Sequence, residues 1–464
     1  MTTPDQPHQV TNVPRTEPVS DRDTEYHAIL HKFTRQDTYS PVFIDSADAC
    51  HFVDVDGQTY LDAFSQSWYA VAGHGCTSIT DAISAQAHNL ASIHAGRFST
   101  EPRRALARRL LEKLPDSFRR VYFAANGSDA VEASLKTARL VTGRQGVLSF
   151  SGSYHGASMA AMSVTGLAYC RQGFGDPVPG TTFVPYPYCY RCPLGLSYPD
   201  CGLACTSLVE QAVLTQGPES IAAIIAEPVQ AVGGVVVPPP GYWQRIAEIA
   251  NRYGIWLIFD EIVTAFGRCG SWFAFERFDT VPNVVTLGKG LTSGYQPLSA
   301  AVFDEPADNA LAGVPFYHGM TFQGHAVACA AALANLDVLE AQSLIERADQ
   351  LGSQMYGRLT ELKARHPCVG DVRGLGAMWG IEIVQDAATR RPFSAGEPFH
   401  DPAGHPTDPA SWASEQLLRV HRVHIGSAVN ILNLAPPLIF TSDDIDQAFT
   451  ALSAVLAQVD SYCT

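Results

Sequence analysis

Lys289 is the residue of this sequence best suited to covalent chemistry. It lies in NVVTLGKGLTSG, directly after an apolar strand and between two glycines, whereas the other four lysines stand in charged surroundings. A lysine desolvated at a strand end can lose its proton near neutral pH and attack a carbonyl carbon. The flanking glycines let a bulky ligand approach the backbone. A strand-ending turn with an exposed lysine is the alternative, and other parts of the sequence must decide between the two.

Two carboxylates follow a second apolar strand. IWLIFDEIVTAFGR places Asp260 and Glu261 at the strand end, where a buried carboxylate is costly unless it has a cationic partner. A protonated pyridine nitrogen would be such a partner. A salt bridge to Arg268 is the alternative, and it remains open for Glu261.

Phosphate and ring binding are indicated by two further segments. Gly127 and Ser128 follow the strand VYFAA and open a helix, where free amides, a hydroxyl and the positive end of the helix dipole can bind a phosphate. A plain helix cap is the alternative. Tyr154 follows the next strand and could stack on a planar ring or belong to the core. Phosphate site, aromatic, acid and lysine together are what pyridoxal 5'-phosphate (PLP) requires when it is held as a Schiff base.

The strands that would position these residues alternate with amphipathic helices between about residues 76 and 335. This alternation predicts an α/β fold with a mainly parallel, doubly wound sheet, in which ligands bind at the carboxyl ends of the strands. We predict an N-terminal arm and part of a smaller α+β domain in residues 1–75, a large PLP-binding domain in 76–335 and a C-terminal small domain in 336–464. The predicted strands are VYFAAN, GVLSF, TTFVPYP, IAAIIAEPV, IWLIFDEI, VVTLGKG and LSAAVF.

Composition and charge limit the partners and the compartment. The chain has 464 residues and a formal net charge of −15, which argues against nucleic acid or an anionic membrane as the main partner. No window long enough to span a bilayer is free of charge and of Pro and Gly clusters. The N-terminus has no apolar core typical of a secretory signal. A cytoplasmic protein is therefore expected.

Residues 187–206 form a cysteine-rich insert. Cys189, Cys192, Cys201 and Cys205 have the spacing C-x2-C-x8-C-x3-C. In a reducing compartment, two close pairs of thiolates fit a tetrahedral metal site better than disulfides. Zinc and a [4Fe–4S] cluster both require four thiolates, and the spacing does not separate them. Free or disulfide-paired thiols are the alternative; in either case we expect a staple for a surface loop without a catalytic role.

Six segments resemble, in order, the motifs of the class III (omega, or subgroup II) aminotransferases, a PLP-dependent family of fold type I. Some relatives in that family carry a similar four-cysteine insert. The resemblance extends from about Tyr60 to Leu438, and a joint match of six motifs is very specific. The segments are NGSDAVEASLKTAR, SYHG, AEPVQAVGGVVVPP, FDEIVTAFGR, TLGKGL and HGMTFQGHAVACAAALANL.

The resemblance implies a transaminase that moves an amino group between a primary amine or amino acid and an aldehyde or keto acid. A PLP-dependent racemase or epimerase and a decarboxylating transaminase of the same family are alternatives. A rival of a different class is a non-catalytic binding or regulatory protein on this fold. The intact set of Lys289, Asp260 and Ser128 argues against that rival, since a protein without catalysis has no need of them.

The resemblance also implies roles around the cofactor ring. Lys289 forms the Schiff base and moves the proton between the substrate carbon and the cofactor. Asp260 keeps the pyridine nitrogen protonated. Tyr154 stacks on one ring face and Ile262 on the other, and Glu227 lies near the phenolic side.

Further roles implied by the resemblance concern the phosphate and the substrate. Gly127 and Ser128 bind the phosphate, and Thr321 reaches the phosphate of the neighbouring subunit, which makes the enzyme a homodimer with shared active sites. Trp68 and Tyr69 match the position where related enzymes line the amine pocket.

The sequence departs from the family in one place that concerns substrate choice. Many omega-aminotransferases carry an arginine shortly before the segment APPL, which binds the carboxylate of a keto acid. Here no arginine lies between His424 and Pro436, and Arg422 is the nearest one. Arg373 resembles the small-domain arginine of the family. Donors or acceptors without an α-carboxylate are compatible with this departure.

Overall fold

The computed structural model describes residues 29–34, 36, 40–393, 399–401, 404 and 406–463. Most of the predicted N-terminal arm lies outside these residues. Among the described residues no single helix is long and apolar enough to cross a membrane, although one pair of helices bent by 62°, Ala326–Ala341 with Leu344–Arg365, passes that test jointly on length and composition alone.

The largest sheet in the described part of the chain has seven strands. Six are parallel, whereas Ser299–Asp304 runs antiparallel between its two neighbours. The predicted α/β fold with a mainly parallel sheet is confirmed; the antiparallel direction of the last strand was not predicted. In spatial order the strands are Phe118–Ala124, Ser299–Asp304, Val284–Leu287, Trp256–Asp260, Ile221–Ala226, Gly146–Phe150 and Thr181–Val184.

Both faces of this sheet are covered, which explains why its strands are continuous apolar runs. Successive residues of a strand point to opposite faces. Ile225 and Ile258 accordingly pack with Leu135 of the helix Gly127–Thr142, whereas Phe259 packs with Trp243 of the helix Tyr242–Tyr253. The sheet is thus a buried layer between helices, and its carboxyl edge presents the loops that form the site.

Of the two smaller four-stranded sheets, the first combines strands from both ends of the chain. It contains Ile44–Asp48, His51–Asp54, Thr59–Asp62 and Val423–His424. The other, here called the C-terminal sheet, contains Val369–Leu375, Met378–Ile383, Ile431–Leu434 and Gly426–Ala428. Phe399–His400 and Pro406–Thr407 form a short hairpin. The remaining helices are Ser65–Trp68, Thr77–Asn89, Glu101–Lys113, Met159–Val164, Cys205–Gln216, Glu305–Leu311, Ala326–Ala341, Leu344–Arg365, Pro409–Arg419 and Ser442–Val459.

Candidate active site

A cavity of about 210 Å³ lies at the carboxyl edge of the large sheet. Asp260 is the last residue of its strand, and Lys289 comes two residues after the adjacent strand Val284–Leu287. The topology therefore brings together groups that are far apart in sequence. The lining residues are Gly127, Ser128, Tyr154, His155, Gly156, Glu227, Asp260, Ile262, Val263, Lys289 and Ser299.

Lys289 is partly buried in the wall of this cavity. Burial lowers the pKa of Lys289, while the carboxylates of Asp260 and Glu227 act in the opposite direction. Its backbone φ of 42° lies in the left-handed region, an unusual conformation for a side-chain-bearing residue. A lysine whose neutral form is favoured by burial is suited to attack a carbonyl.

Asp260 is held by three hydrogen-bond donors. His155 Nδ1 lies 2.8 Å from Asp260 Oδ2, and Thr286 Oγ1 donates to Oδ1 at 2.9 Å. The backbone N–H of Ile262 also donates to Oδ1, at 3.2 Å. These three hydrogen bonds orient the carboxylate of Asp260 toward the cavity. The sequence motifs did not predict that Thr286 and His155 bind Asp260. The position of His155 directly after Tyr154 was the sequence signal that could have indicated its place in the site.

Glu227 is a second buried carboxylate in the cavity. Its oxygens accept hydrogen bonds from the backbone N–H groups of Tyr154, at 3.1 Å, and Ala231, at 2.9 Å. Burial raises the pKa of Glu227 to about 7, with nearby Asp260 adding to this effect and His155 opposing it. A carboxyl group with that pKa can accept or donate a proton near neutral pH.

The helix Gly127–Thr142 points its N-terminus into the cavity. Its cap is Asn126, whose side chain accepts from the N–H of Asp129 at 3.0 Å, so Gly127 and Ser128 are not used as caps. A Cβ on Gly127 would lie 2.8 Å from Ile262 Cδ1, and one on Gly156 would overlap Ser128 Oγ. The backbone amides therefore form a narrow cradle of the kind that binds an anion.

Tyr154 and Ile262 also line the cavity, and both are partly exposed. Tyr154 meets Phe33 in an edge-to-face contact, with ring centres 6.1 Å apart. Burial raises the pKa of the Tyr154 hydroxyl. The two side chains offer an aromatic and an aliphatic surface to a bound ring.

Three predicted residues lie away from the cavity lining. Thr321 is exposed on the surface of the single chain. Trp68 is only 3% exposed and packs with Val229 and Val263 in an apolar cluster. Tyr69 packs against Gly294 and lines a neighbouring cavity of about 370 Å³.

The two predicted arginines also lie outside the cavity lining. The guanidinium of Arg422 lies 5.6 Å from the centre of the Tyr60 ring. Arg373 Nη1 donates to Glu382 Oε2 at 2.8 Å, and Arg373 Nε donates to the carbonyl of Gly234 at 2.8 Å. Among the described lining residues, Lys289 is the only lysine or arginine.

The suggested salt bridge between Glu261 and Arg268 is wrong. Glu261 accepts from the backbone N–H groups of Ala274, at 2.9 Å, and Phe275, at 2.8 Å. Arg268 Nη1 donates to the carbonyl of Pro436 at 2.7 Å. Backbone groups and the hydroxyls of Thr264 and Ser65 thus bind the two buried side chains separately, and Arg268 Nε has no hydrogen-bond partner among the described residues.

The four cysteines predicted to bind a metal are not arranged as a metal site in the described part of the chain. Within the described ranges, no three or more His, Cys, Asp or Glu side chains are arranged to hold a metal ion. Cys189, Cys192, Cys201 and Cys205 are free thiols that line one small cavity of about 20 Å³. Burial raises the pKa of Cys205 to about 11, and the neighbouring cysteines add to this effect.

These groups fit PLP. The amide cradle suits a phosphate, the buried Asp260 suits a protonated ring nitrogen, and Lys289 suits an aldehyde; Gly127 and Gly156 leave space that side chains would fill. PLP, when bound, draws electrons away from the reacting carbon of the substrate. Fold and site together define a PLP-dependent enzyme of fold type I.

Comparison with known proteins agrees with this class. The family described as "Aminotransferase class-III" matches residues 33–456. The chain is 32% identical over 447 residues to the taurine–pyruvate aminotransferase of Bilophila wadsworthia, covering 93% of this chain and 96% of that one. It is 33% identical over 442 residues to a leucine/methionine racemase of Thermococcus litoralis, covering 94% and 95%.

A solved structure is similar over nearly the whole chain. The omega transaminase from Pseudomonas jessenii in complex with PMP superposes with a TM-score of 0.90 at 29% identity, covering 96% of this chain and 99% of that one. This chain belongs to the class III aminotransferases. It is an enzyme, a PLP-dependent transaminase, as the resemblance implied.

Proposed function

We propose that the cavity around Lys289 is the site of transamination and that Lys289 is its catalytic base. Lys289 Nζ would hold the cofactor and, once the substrate amine has replaced it there, would take the proton that leaves the substrate carbon and pass it to the cofactor. One observation carries this proposal: a partly buried lysine and a buried aspartate face a single cavity from the ends of adjacent strands.

The remaining residues of the cavity orient the cofactor. Asp260 accepts from the ring nitrogen, Tyr154 and Ile262 cover the two ring faces, and Glu227 lies on the phenolic side. The hydrogen bonds that His155 makes to Asp260 and that Tyr154 N–H makes to Glu227 support this arrangement, because they hold both carboxylates in the cavity wall.

The phosphate site belongs to a homodimer in this proposal. Gly127 and Ser128 bind the phosphate from their own subunit, and Thr321 completes the site of the neighbouring subunit. Support comes from the segment around Thr321, whose apolar side chains are unusually exposed in the single chain: Tyr317 is 91% exposed and Phe322 is 61% exposed. A partner subunit would cover such a surface.

The proposed donor is a primary amine without an α-carboxylate, received in a pocket that Trp68 and Tyr69 help to form. Support comes from the distribution of cations, since no arginine lines the cavity among the described residues and Arg422 stacks on Tyr60. Taurine, in the name of the Bilophila wadsworthia relative, is a primary amine of this kind. Arg422 remains a candidate for the carboxylate of a keto-acid acceptor.

Racemisation is the second candidate, and the similarity to the leucine/methionine racemase favours it over decarboxylating transamination. Lys289 would then return the proton to the opposite face of the same carbon. Loss of chirality of an amino acid without any transfer to an acceptor would identify this activity.

We further propose a cytoplasmic location. All eleven cysteines are free thiols, which suits a reducing compartment.

A donor screen on the holoenzyme tests the substrate proposal. Terminal amines and the matching α-amino acids are compared with one keto-acid acceptor, and the change in cofactor absorption is followed. We expect kcat/KM for the terminal amine to exceed that for the amino acid by about tenfold or more, which is about 1.4 kcal/mol. Equal values, or a preference for the amino acid, would contradict the proposal. Arg422→Ala is the matched variant, and it should raise KM for the keto acid alone.

A further inference from the structure

Two cysteines meet where the C-terminal end of the chain packs on the C-terminal sheet. Cys368 comes directly before the strand Val369–Leu375 and is fully buried. Cys463 comes shortly after the helix Ser442–Val459 and is partly exposed. Neither cysteine lines the active-site cavity, and neither belongs to the cysteine-rich insert. The proposed transamination therefore makes no use of this pair.

The helix Ser442–Val459 brings the two sulfur atoms together. Cys368 Sγ lies 3.7 Å from the carbonyl oxygen of Leu456, and Cys463 Sγ lies 3.8 Å from that of Val459. Leu456 and Val459 are three residues apart in one helix, so they lie on the same face of it. The two thiols, placed side by side on this face, are hydrogen-bonded to each other.

Backbone hydrogen bonds hold both cysteines in place. The N–H of Cys368 donates to Asp460 Oδ1 at 3.1 Å, and the N–H of Cys463 donates to the carbonyl of Asp460 at 3.1 Å. Val384 contacts the same two cysteines from the side of the sheet. Its N–H donates to the carbonyl of Cys368 at 2.8 Å, and its own carbonyl oxygen lies 3.5 Å from Cys463 Sγ. The two thiols are therefore kept adjacent without a covalent bond between them.

The hydrogen bond between the thiols makes them chemically unequal. It raises the pKa of Cys368, and burial and the carboxylate of Asp460 act in the same direction. It lowers the pKa of Cys463, although partial burial and Asp460 oppose this effect. Cys368 therefore keeps its proton, and the thiolate form is favoured at Cys463. A thiolate that solvent can reach is the form of cysteine that attacks an oxidant.

We propose that Cys463 and Cys368 form a peroxide-reactive pair, in which Cys463 attacks the oxidant and Cys368 then closes a disulfide. The Cys463 thiolate attacks one oxygen of hydrogen peroxide, the O–O bond breaks, and the leaving hydroxide takes up the proton that Cys463 had lost. This gives one water and a sulfenic acid on Cys463. The sulfur of Cys368 attacks that sulfenic sulfur, the S–S bond forms and a second water leaves. The two thiols lose two electrons in total, and the peroxide gains them.

The disulfide would tie the end of the chain to the C-terminal sheet. In the reduced protein this boundary depends on hydrogen bonds, among them those that Asp460 makes with Cys368 and His366. The covalent link would close a loop of about 100 residues and so restrict opening of the last helical turn. Because thiol exchange reduces such a bond again, a reducing compartment would return the pair to two thiols once the peroxide is consumed.

Peptide mapping after peroxide treatment tests the pairing. The holoenzyme is treated with hydrogen peroxide, its remaining thiols are alkylated, and it is digested with trypsin. Cleavage at arginines releases the peptides 366–373 and 423–464, each of which contains one cysteine. We expect these two peptides to be joined, and the link to disappear on treatment with a thiol reductant. Oxidation of other cysteines that leaves these two peptides separate would overturn the proposal.

Two variants test which thiol attacks. In Cys368→Ser, peroxide should leave a sulfenic acid on Cys463, which a 1,3-diketone reagent can trap. In Cys463→Ser, Cys368 should react with peroxide at least about tenfold more slowly than Cys463 does in Cys368→Ser, because it is buried and protonated. Equal rates in these two variants would show that Cys463 is not the attacking thiol.

Cys76→Ser is the matched control. Cys76 is also partly exposed, but it lies at the start of the helix Thr77–Asn89, in another part of the fold. The link between the peptides 366–373 and 423–464 should form in this variant as it does in the unmodified enzyme. Loss of the link in Cys76→Ser would mean that Cys76 takes part in the reaction, and the assignment to Cys463 would be overturned.

Hydrogen exchange tests the structural consequence. In the oxidised enzyme, amides in the last turn of the helix Ser442–Val459 should exchange at least about tenfold more slowly, while those of Ile221–Ala226 should not change. Cys463→Ser treated with peroxide in the same way should show no such protection. Equal exchange in the oxidised and the reduced enzyme would overturn the proposed tether.

Discussion

His155 Nδ1 lies 2.8 Å from Asp260 Oδ2, and both residues are buried, with 2% and 3% of their surfaces exposed. Thr286 holds the other carboxylate oxygen. Neither donor belongs to the FDEIVTAFGR motif that contains Asp260. The orientation of the Asp260 carboxylate thus depends on two other segments of the chain, one containing His155 and one containing Thr286.

Replacing His155 by Ala should weaken catalysis without removing the cofactor. With one donor lost, Asp260 is less well oriented, and we expect kcat/KM to fall about tenfold, or about 1.4 kcal/mol. His155→Asn, which can still donate a hydrogen bond, should recover part of the loss. The pH dependence of the cofactor absorption should shift in the Ala variant. Activity and absorption equal to those of the unmodified enzyme would show that His155 does not position Asp260.

The amide cradle gives a prediction for cofactor affinity. Gly156 has a φ of 130°, and a Cβ there would overlap Ser128 Oγ, so Gly156→Ala should weaken PLP binding about tenfold or more. Gly143→Ala is the matched control, because Gly143 also has a positive φ, of 69°, but has open space around it. PLP titration of the apoenzyme measures both. Equal affinity in the two variants would count against the cradle.

Mixing two inactive variants tests the shared active site. Lys289→Ala lacks the catalytic base but keeps Thr321, whereas Thr321→Arg keeps Lys289 but obstructs the phosphate site of its partner. A mixed dimer would contain one complete site. We therefore expect the mixture, after exchange of subunits, to regain activity that neither variant has alone. No recovery, despite demonstrated subunit exchange, would exclude a role for Thr321 across the interface.

Glu261 should make stability depend on pH. Burial raises the pKa of Glu261 from 4.5 to about 7. Its contribution to the free energy of unfolding is therefore largest below pH 4.5 and is lost as the pH rises to about 7, by on the order of 3 kcal/mol. Glu227 titrates in the same range through its own raised pKa. Glu261→Gln should therefore make the decrease in the free energy of unfolding with rising pH smaller, without abolishing it.

Denaturation of the apoenzyme between pH 4.5 and 7.5 measures this effect. The two proteins, Glu261→Gln and the unmodified enzyme, are compared by the slope of the free energy of unfolding against pH and not by its absolute value. The glutamine would also accept fewer hydrogen bonds from Ala274 and Phe275, which lowers stability at every pH. Glu248→Gln, on the protein surface, serves as the control. An unchanged slope in Glu261→Gln would show that Glu261 does not titrate in this range.

Much of the fold and family could be predicted because the signals are local. The strand that ends at Asp260 and the strand before Lys289 are continuous apolar runs, and such runs are typical of a sheet covered on both faces. The order of the motifs then identified the family, and the comparisons confirmed it. The antiparallel direction of Ser299–Asp304 could not be predicted, because an apolar run is compatible with either direction.

The details of the site depend on tertiary contacts that sequence patterns do not record. Backbone donors satisfy Glu261, so its expected partner Arg268 bonds elsewhere. Trp68 matches a family position but packs into an apolar cluster of the single chain. The roles of Trp68, Tyr69, Thr321 and Arg422 stay predictions until substrates and subunit mixing are tested.

The most direct test of the account is a single-turnover reaction of the holoenzyme with an isotopically labelled amine and no acceptor. We predict that the cofactor takes up about one labelled amino group per chain, becomes pyridoxamine phosphate and releases the group only when a carbonyl acceptor is added. Lys289→Ala should give no transfer on the same timescale. Label that stays with the amine, or transfer that proceeds equally well without Lys289, would contradict the account.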